Sequence, residues 1–346
     1  MLSASVNGPG PQSQFQNIYS LVADSQANVY AVELNLIRKI TPAGLVTSFA
    51  GGNGSGFTDG PGSSAAFDLM TGIAIAPNGL LLVADSRNSA IRTINTNGLV
   101  ATLVGGPTKA GYADGTLIDA KFQQPVSVTV DANGNIYVVD YTQKDMFGYC
   151  LFFGEFWVRK ITPAGVVSTL YKSSGFSSGT KIAVDRSGDI YLAITEFPRD
   201  PAFGGVLCPG VSVTPRFGYI QKLGKNGIAT LWAGSNLSQD SPRDGQRLDA
   251  RFTHISSIAV DELTGSIFVT DRPNGAIRRI STDGMVSTVV GQLSPDTPAS
   301  PSRLTLGALP GLVPIVANVT VGPQSRLYMS GANSGSNSNL ILTVRP

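Results

Sequence analysis

A six-fold internal repeat constrains the fold of this chain more than any other feature. Each copy contains an apolar strand, a tight turn, a second strand, a third strand with basic residues, another tight turn and a fourth strand. The clearest copy runs from Gly72 to Gly106 and has its turns at Asn78-Gly79 and Asn97-Gly98. The aromatic or aliphatic residue of the second strand recurs as Tyr30, Leu82, Tyr137, Tyr191, Phe268 and Tyr328. Such recurrence predicts a stacked or radial repeat architecture.

The residue types of the repeat predict an all-β fold. The strands are short and rich in Val, Ile, Leu and Tyr, and glycine in the intervening turns supplies the positive φ that tight hairpins need. The chain contains 40 glycines and 21 prolines, which suits a turn-rich fold. Four antiparallel strands form a sheet with two apolar faces, so consecutive copies must stack face to face. A radial arrangement of such sheets is a β-propeller.

Short phrases within the strands recur nearly unchanged. Examples are Ile-Ala-Val-Asp ending at Asp185 and Asp261, Tyr-Val-Val-Asp ending at Asp140, Ile-Arg-Arg-Ile ending at Ile280, and the Ala-x-Phe phrase ending at Phe67. These phrases resemble the NHL repeat of six-bladed β-propellers. The resemblance covers nearly the whole chain and implies one domain, 1–346, with six four-stranded blades.

The two ends of the chain suggest how the ring closes. Residues 2–8 match the fourth-strand phrases at 46–52 and 286–291, whereas the last copy stops after its third strand, residues 340–344. We therefore predict that the N-terminal strand completes the sixth blade. This arrangement would remove an exposed sheet edge.

Charge and composition disfavour several classes of partner. Charged residues make up 14% of the chain and the net charge is +2, so the concentrated basic face of a nucleic-acid-binding module is not expected. Neither a secretory signal nor an unbroken apolar run of membrane-spanning length is present. We expect a soluble chain without a membrane span, either cytoplasmic or associated with a virion or extracellular particle.

An acid ends the second strand wherever an arginine opens the third, and the two are absent together from the fourth and sixth copies. This covariation predicts structural ion pairs within the hairpins, each worth about 0–1 kcal/mol if exposed. The pairs are Glu33 with Arg38, Asp85 with Arg92, Asp140 with Arg159, and Asp271 with Arg278. A second recurring aspartate, in the Asp-Gly phrases at Asp59, Asp114 and Asp244, is expected to form a turn.

The sequence offers little for catalysis. The chain has one histidine, His254, and the Gly-x-Ser-x-Gly spacing at 175–179 is not followed by a helix, so we predict no catalytic residues, metal site or cofactor. Propeller enzymes similar to this family include amidating lyases, with histidines around zinc, and sugar lactonases, with a divalent ion held by carboxylates and an asparagine. A metal-dependent lactonase-like or lyase-like enzyme with a site in the central channel is the alternative.

Insertions occur on one side of the predicted propeller. Residues 141–157 and 196–217 both lengthen the connection between second and third strands, which emerges on the same face as the inter-blade loops. These insertions are rich in aromatic and apolar residues, which fits either a satellite core or a partner-binding patch. The candidate partner-binding residues are Phe147, Tyr149, Phe152, Phe153, Phe156, Trp157, Phe203 and Leu207.

Each insertion also carries one of the two cysteines. A disulfide between Cys150 and Cys208 would stabilise the fold by roughly 4 kcal/mol in the chain-entropy model, but two free thiols are equally compatible with the sequence. The prediction for function is a non-catalytic recognition or scaffold propeller that binds a protein or glycan partner through the face that carries these loops.

Overall fold

Short antiparallel strands form six sheets around one axis, with glycine turns between them. The computed structural model describes residues 5–142, 153–173, 177–196, 217–235, 241–272, 275–291, 315–333 and 336–344. The prediction of an all-β propeller is confirmed. Within these ranges the helical turns are short 3₁₀ segments, Gly10–Gln12, Pro107–Lys109 and Pro323–Ser325, and no helix is long and apolar enough to cross a membrane.

Five sheets are complete blades with four main strands and one short additional strand. The first contains β1 (Gly8–Pro9), β2 (Ser20–Ala23), β3 (Val29–Val32), β4 (Leu36–Ile40) and β5 (Leu45–Gly51). The second contains β6 (Gly60–Pro61), β7 (Met70–Ile75), β8 (Leu81–Asp85), β9 (Ala90–Ile94) and β10 (Leu99–Gly105). The third contains β11 (Gly115–Thr116), β12 (Gln124–Val130), β13 (Ile136–Tyr141), β15 (Phe156–Ile161) and β16 (Val166–Lys172).

The fourth sheet contains β14 (Phe153–Gly154), β17 (Ser177–Val184), β18 (Ile190–Glu196), β19 (Phe217–Leu223) and β20 (Ala229–Gly234). The fifth contains β21 (Gly245–Gln246), β22 (His254–Val260), β23 (Ile267–Arg272), β24 (Ala276–Ile280) and β25 (Met285–Val290). The last sheet contains only β26 (Ile315–Val321), β27 (Leu327–Asn333) and β28 (Ser336–Val344). The predicted six four-stranded blades are therefore corrected to five complete blades and one three-stranded sheet.

The N-terminal segment does not play the predicted role in the described residues. Gly8 and Pro9 pair with Val46 and Leu45 of the first sheet, as Gly60 and Pro61 pair with β10 of the second. Val6-Asn7-Gly8 is thus equivalent to the Asp-Gly phrases, which lie in the segments that enter the blades. The sequence analysis had instead assigned it to a fourth strand, which is the preceding element of the repeat. Residues 1–4 lie outside the described ranges, and within those ranges β28 pairs only with β27.

Apolar layers between neighbouring sheets form the core. Between the first and second sheets, for example, Ile37 and Phe67 are fully buried in one cluster, and an equivalent layer separates each following pair. A sixth layer joins the last sheet to the first, where Tyr328 packs in one cluster with Phe15, Ile18 and Leu21. Asn318 Nδ2 also donates a 2.9 Å hydrogen bond to the Ile18 carbonyl across this junction. Side-chain contacts therefore join the two ends of the ring.

The glycine that ends the fourth strand has a steric reason to recur. Gly105 has a φ of 87°, and a Cβ there would lie 2.1 Å from the carbonyl oxygen of Ser89. Gly51 shows the same close approach to Asn35 in the first sheet. No side chain fits where the fourth strand passes this carbonyl, so the chain can leave the blade at this point only with glycine.

The inner strands of all six sheets line a central channel with a volume of about 300 Å³. In five of these sheets, the pairing between the inner strand and the second strand shifts in register just before the first residue that lines the channel. Such a shift is the signature of a β-bulge. The first lining residues of the successive sheets are Ser20, Gly72, Ser127, Lys181, Ser257 and Asn318. Lys181 is the one charged side chain in this ring of small or polar residues.

Loss of the layer that joins the last sheet to the first should destabilise the whole ring. We expect Tyr328→Ala to lower the free energy of unfolding by about 3 kcal/mol or more, because it leaves a cavity between buried aliphatic side chains. Leu99→Ala is the matched control, because Leu99 is half exposed on an outer strand, and it should change stability by less than about 0.5 kcal/mol. Denaturant unfolding measures both, and equal losses would contradict this role for the layer.

Candidate functional site: the face with the inter-blade loops

Four arginines at equivalent positions of the third strand lie beneath the inter-blade loops. Arg38, Arg92, Arg159 and Arg278 are all fully buried. The acids predicted to pair with them also have essentially no exposed surface, so the structure makes these buried ion pairs and not the exposed ones that the sequence analysis allowed. Removing one partner from such a pair costs far more than breaking an exposed pair, because the other charge is left buried.

Each arginine also binds the segment that enters its blade. Arg92 Nη1 lies 2.8 Å from Asp85 Oδ2 and donates to the Ala66 carbonyl at 3.2 Å, while Nη2 donates to the Thr58 carbonyl at 2.9 Å. The guanidinium lies over the ring of Phe67, with 5.0 Å between its carbon and the ring centroid. One side chain therefore holds the end of the second strand and both ends of the loop that crosses from the preceding blade.

The aspartate of the Asp-Gly phrase is the second acid of each site. Asp114 Oδ1 accepts a 2.9 Å bond from Arg159 Nη2, and its other oxygen accepts the Thr169 N–H at 3.0 Å. Asp59 and Asp244 make equivalent contacts with Arg92 and Arg278. The sequence analysis assigned these aspartates to turns and missed their contact with arginine. Their recurrence in the copies that contain arginine was the available signal.

Asn7 takes the place of this second acid in the first sheet. Its Oδ1 accepts a 2.9 Å bond from Arg38 Nη2, which also donates to the Val6 carbonyl. The amide thus replaces the carboxylate without loss of the contact. We call each set of arginine, inner acid and entry segment an arginine clamp.

The two acids of a clamp have different electrostatic environments. Burial raises the pKa of Asp85 to about 6, even though Asn88, the Asp68 N–H and Arg92 all donate hydrogen bonds to it. For the half-exposed Asp59, burial also raises the pKa, but the hydrogen bonds and charge of Arg92 and the bonds from Thr102 outweigh it and leave the pKa below its usual value. The inner acid therefore carries most of the desolvation cost.

The fourth sheet has Ile194 and Gln221 where the other complete blades have the acid and the arginine, so it lacks a clamp. It receives β14 instead, which belongs to the insertion of the third sheet and pairs with the inner strand β17 through Phe153–Ser178 and Gly154–Ser177. Residues 153–154 of the insertion at 141–157 therefore pair with the next blade on this face.

A surface aromatic cluster lies at the described end of that insertion. Trp157 is half buried; its ring centroid lies 4.8 Å from that of Tyr112, and the Nζ of the exposed Lys172 lies 4.1 Å from the Trp157 ring. We call Tyr112, Trp157 and Lys172 the Trp157 cluster. Its position at the base of the insertion places it on the same face as the clamps.

The other predicted partner-binding residues divide into two groups. Phe156 is buried beside Tyr141 and Tyr171, so its assignment to a partner-binding surface is corrected to a core role. The side chain of Phe153 lies outside what the structure describes. The remaining residues, Phe147, Tyr149, Phe152, Phe203 and Leu207, and both cysteines, Cys150 and Cys208, lie outside the described ranges.

The channel opens on the same face, and Lys181 lies near its mouth. Its Nζ reaches across from the fourth sheet to the second and donates a 3.2 Å hydrogen bond to the Thr71 carbonyl. Within the described ranges it makes no ion pair, and burial lowers its pKa to about 8. His254, at the start of β22, has its pKa lowered to about 4 by burial and by the nearby charge of Arg272.

The residues that line the channel do not form a divalent-cation site. The lining contains one carboxylate, Glu262, which follows β22 at the end of the channel opposite the mouth. No group of three or more potential metal-ligating side chains occurs in the described ranges. Hard cations need several converging oxygen ligands, so this donor set does not fit the ion that lactonase-like propellers would imply.

Sequence comparisons relate the chain to proteins with NHL repeats. Teneurin-3 of Mus musculus is 22% identical over 309 residues, which are 83% of this chain and 11% of that protein. NHL repeat-containing protein 2 of Bos taurus is 32% identical over 147 residues, which are 38% of this chain and 20% of that protein. The chain therefore spans a small part of each of these relatives. No family model matches it.

Solved structures share the propeller fold at low sequence identity. A gluconolactonase from Xanthomonas campestris is 14% identical with a TM-score of 0.55, and the match covers 96% of this chain and 88% of that one. An auxiliary nutrient binding protein from Bacteroides ovatus is 14% identical with a TM-score of 0.61, and the match covers 99% and 72%. Because the identities are so low, these similarities establish the fold alone.

The two acids of one clamp should respond differently to the same substitution. Asp140→Asn should cost about 3–5 kcal/mol, because Arg159 would keep a buried charge without its fully buried counter-ion. Asp114→Asn is the matched variant and should cost less than about 1 kcal/mol, because Asp114 is half exposed and Asn7 already fills the equivalent position. Denaturant unfolding of both variants decides this, and losses of similar size would contradict the assignment.

Lys181 should make stability depend on pH in a defined direction. Because its folded pKa, about 8, is below that of the unfolded chain, the unfolded state binds more protons between these two values, and stability should rise with pH across that window. We expect Lys181→Met to be more stable than the wild type at about pH 7, by up to roughly 3 kcal/mol, and to lose this advantage towards about pH 10. Denaturant unfolding at several pH values measures the difference, and a variant that is less stable at neutral pH would contradict it.

Proposed function

We propose that this propeller is a non-catalytic recognition module that binds a protein partner through the face carrying the loops between second and third strands and the inter-blade loops. The observation that carries the proposal is the arginine clamp. Four fully buried guanidinium groups hold the inter-blade segments of this face through carbonyl and carboxylate contacts. The described ends of the two insertions, at Tyr141 and Phe156 and at Glu196 and Phe217, lie on the same face.

Clamped loops favour binding because their geometry is fixed in advance. A loop that becomes ordered only on association subtracts the cost of that ordering from the affinity, whereas a loop already held by its backbone carbonyls does not. Arg159 holds the Ala113 and Lys121 carbonyls at 2.7 and 2.9 Å, and Ala113 directly follows Tyr112 in the chain. The clamp of the third sheet thus positions one member of the Trp157 cluster.

The chemistry of the Trp157 cluster supports a binding role. Tryptophan and tyrosine are enriched at protein interfaces, and a half-buried tryptophan on a rigid base is typical of residues that contribute most of the binding energy. Trp157 lies where the insertion ends and β15, the third main strand of the third sheet, begins. A partner that contacts the insertion would therefore also contact Trp157. A glycan that stacks on the indole is the other ligand compatible with this surface.

A metal-dependent lactonase-like or lyase-like activity is the second candidate, supported by the fold shared with the gluconolactonase. The lining of the described channel, with a lysine near the mouth and Glu262 as its one carboxylate, favours the recognition role over it. Hydrolysis of glucono-δ-lactone by the purified chain, dependent on an added divalent cation, would support the enzyme.

The recognition role predicts that binding depends on Trp157. With the purified chain as bait in an extract of its natural source, chemical cross-links to the captured partner should map to the clamped face. Trp157→Ala should weaken that partner's affinity by about 30-fold or more, as expected for a central aromatic contact. The melting temperature should change little.

Trp232→Ala is the matched control, because the Trp232 ring also contacts a tyrosine, Tyr191, with 4.9 Å between ring centroids, and has the cation of Arg247 nearby, but belongs to the outer strand of the fourth sheet. It should leave the affinity unchanged. A partner that cross-links to the opposite face and binds Trp157→Ala normally would refute the proposal.

A further inference from the structure

We propose that the mouth of the central channel is a binding site for a small organic carboxylate, with Lys181 as its cation. This site is separate from the partner-binding surface and does not depend on it. The inference comes from the position of Lys181, from its lack of a counter-ion among the residues that the structure describes, and from the shape and polarity of the channel that it enters.

The position of Lys181 is not required by the repeat. The equivalent residue of the other five sheets is Gly72 or an uncharged polar residue, namely Ser20, Ser127, Ser257 or Asn318. Ser127, Ser257 and Asn318 connect neighbouring blades: Ser127 Oγ accepts the Ile182 N–H at 3.3 Å, Ser257 Oγ accepts the Val319 N–H at 3.2 Å, and Asn318 Nδ2 donates to the Ile18 carbonyl. Lys181 makes no such connection to its neighbouring strand and extends across the channel instead.

The four fully buried arginines on this face have counter-ions. The arginines of the four clamps each contact at least one carboxylate. Lys181 contacts only the Thr71 carbonyl among the described residues, which leaves two of its three N–H groups available. A buried ammonium group without a counter-ion is costly, and an anion from solution would remove that cost.

The neighbouring groups can complete an anion site. Thr71 lies beside Gly72, where the inner strand of the second sheet passes close to Ser127, so the ammonium lies near a surface with no bulky side chain. The hydroxyl of Ser127 accepts a backbone N–H, and its own proton makes no hydrogen bond within the described ranges. An ammonium with two available N–H groups and a nearby hydroxyl donor matches the two oxygens of a carboxylate.

The channel favours a carboxylate with an organic body over a multiply charged anion. A single ammonium balances one negative charge, and Glu262 at the opposite end disfavours a second one. Beyond the first ring most residues of the inner strands along the channel are aliphatic, such as Val22, Val130 and Val260, which suits the carbon skeleton of a small acid. Its volume of about 300 Å³ is at the lower end for small-molecule sites.

The test uses the full chain and defined probes. Acetate, lactate and gluconate are titrated at neutral pH and followed by calorimetry and by NMR chemical shifts, with acetamide as the neutral match for acetate and inorganic phosphate as the multiply charged anion. We expect saturable binding of at least one carboxylate, with the largest shifts at the inner-strand residues of the channel, no binding of acetamide and weaker binding of phosphate.

Lys181→Met should weaken carboxylate binding by about tenfold or more, as expected for loss of a charge-assisted hydrogen bond. Lys160→Met is the matched control, because Lys160 is also half buried, over the ring of Tyr137, but belongs to the third strand of its blade. It should leave binding unchanged. Thermal unfolding of each variant verifies that it is folded.

Three results would overturn the proposal: no saturable carboxylate binding by the wild type, equal binding by folded Lys181→Met, or phosphate binding that is tighter than that of every carboxylate. None of them bears on the partner-binding role, because Trp157→Ala leaves the channel intact. Conversely, failure of the Trp157 experiment would leave the carboxylate measurements unaffected.

Discussion

No sheet of this chain can bury both of its apolar faces alone, and this constraint determines the arrangement of the rest. Each face is covered by the next sheet around the axis, so the aliphatic layers between sheets supply most of the stabilisation, and a blade has no stable form without its neighbours. The polar features of the molecule lie where these layers end. The clamps cover the layers on one face, and the inner strands with their bulges line the channel at the centre.

The arginine clamp shows how a buried charge can be tolerated in such a layer. A guanidinium has five N–H donors in a fixed plane, and Arg92 distributes its donors between two carboxylates and two carbonyls while its face lies on Phe67. Lysine could not satisfy as many groups in one plane. Where the fourth sheet lacks both charges, the added strand β14 from the neighbouring insertion pairs with its inner strand instead.

Much of the fold could be predicted from the sequence because its signals are local. Turn glycines, alternating apolar residues and the second-strand aromatic recur in every copy, and they predict strands and sheets without reference to distant contacts. The register of the N-terminal segment could not be predicted in this way: Val6-Asn7-Gly8 resembles both the end of a fourth strand and the start of a blade. The contact between Asn7 and Arg38, 31 residues apart, decides between them. Burial of the ion pairs, the contacts of Asp114 with Arg159 and the reach of Lys181 to Thr71 likewise depend on the packing of distant segments.

The contact between the last sheet and the first has a mechanical consequence. Within the described residues no backbone pairing crosses this junction, whereas Tyr328 and Asn318 reach across it with their side chains. The other junctions are each spanned by a continuous stretch of polypeptide, but among the described residues this one is held by side-chain packing and by the Asn318 hydrogen bond. Thermal fluctuations that widen the ring should therefore concentrate at this seam, and the width of the axial opening would vary with it.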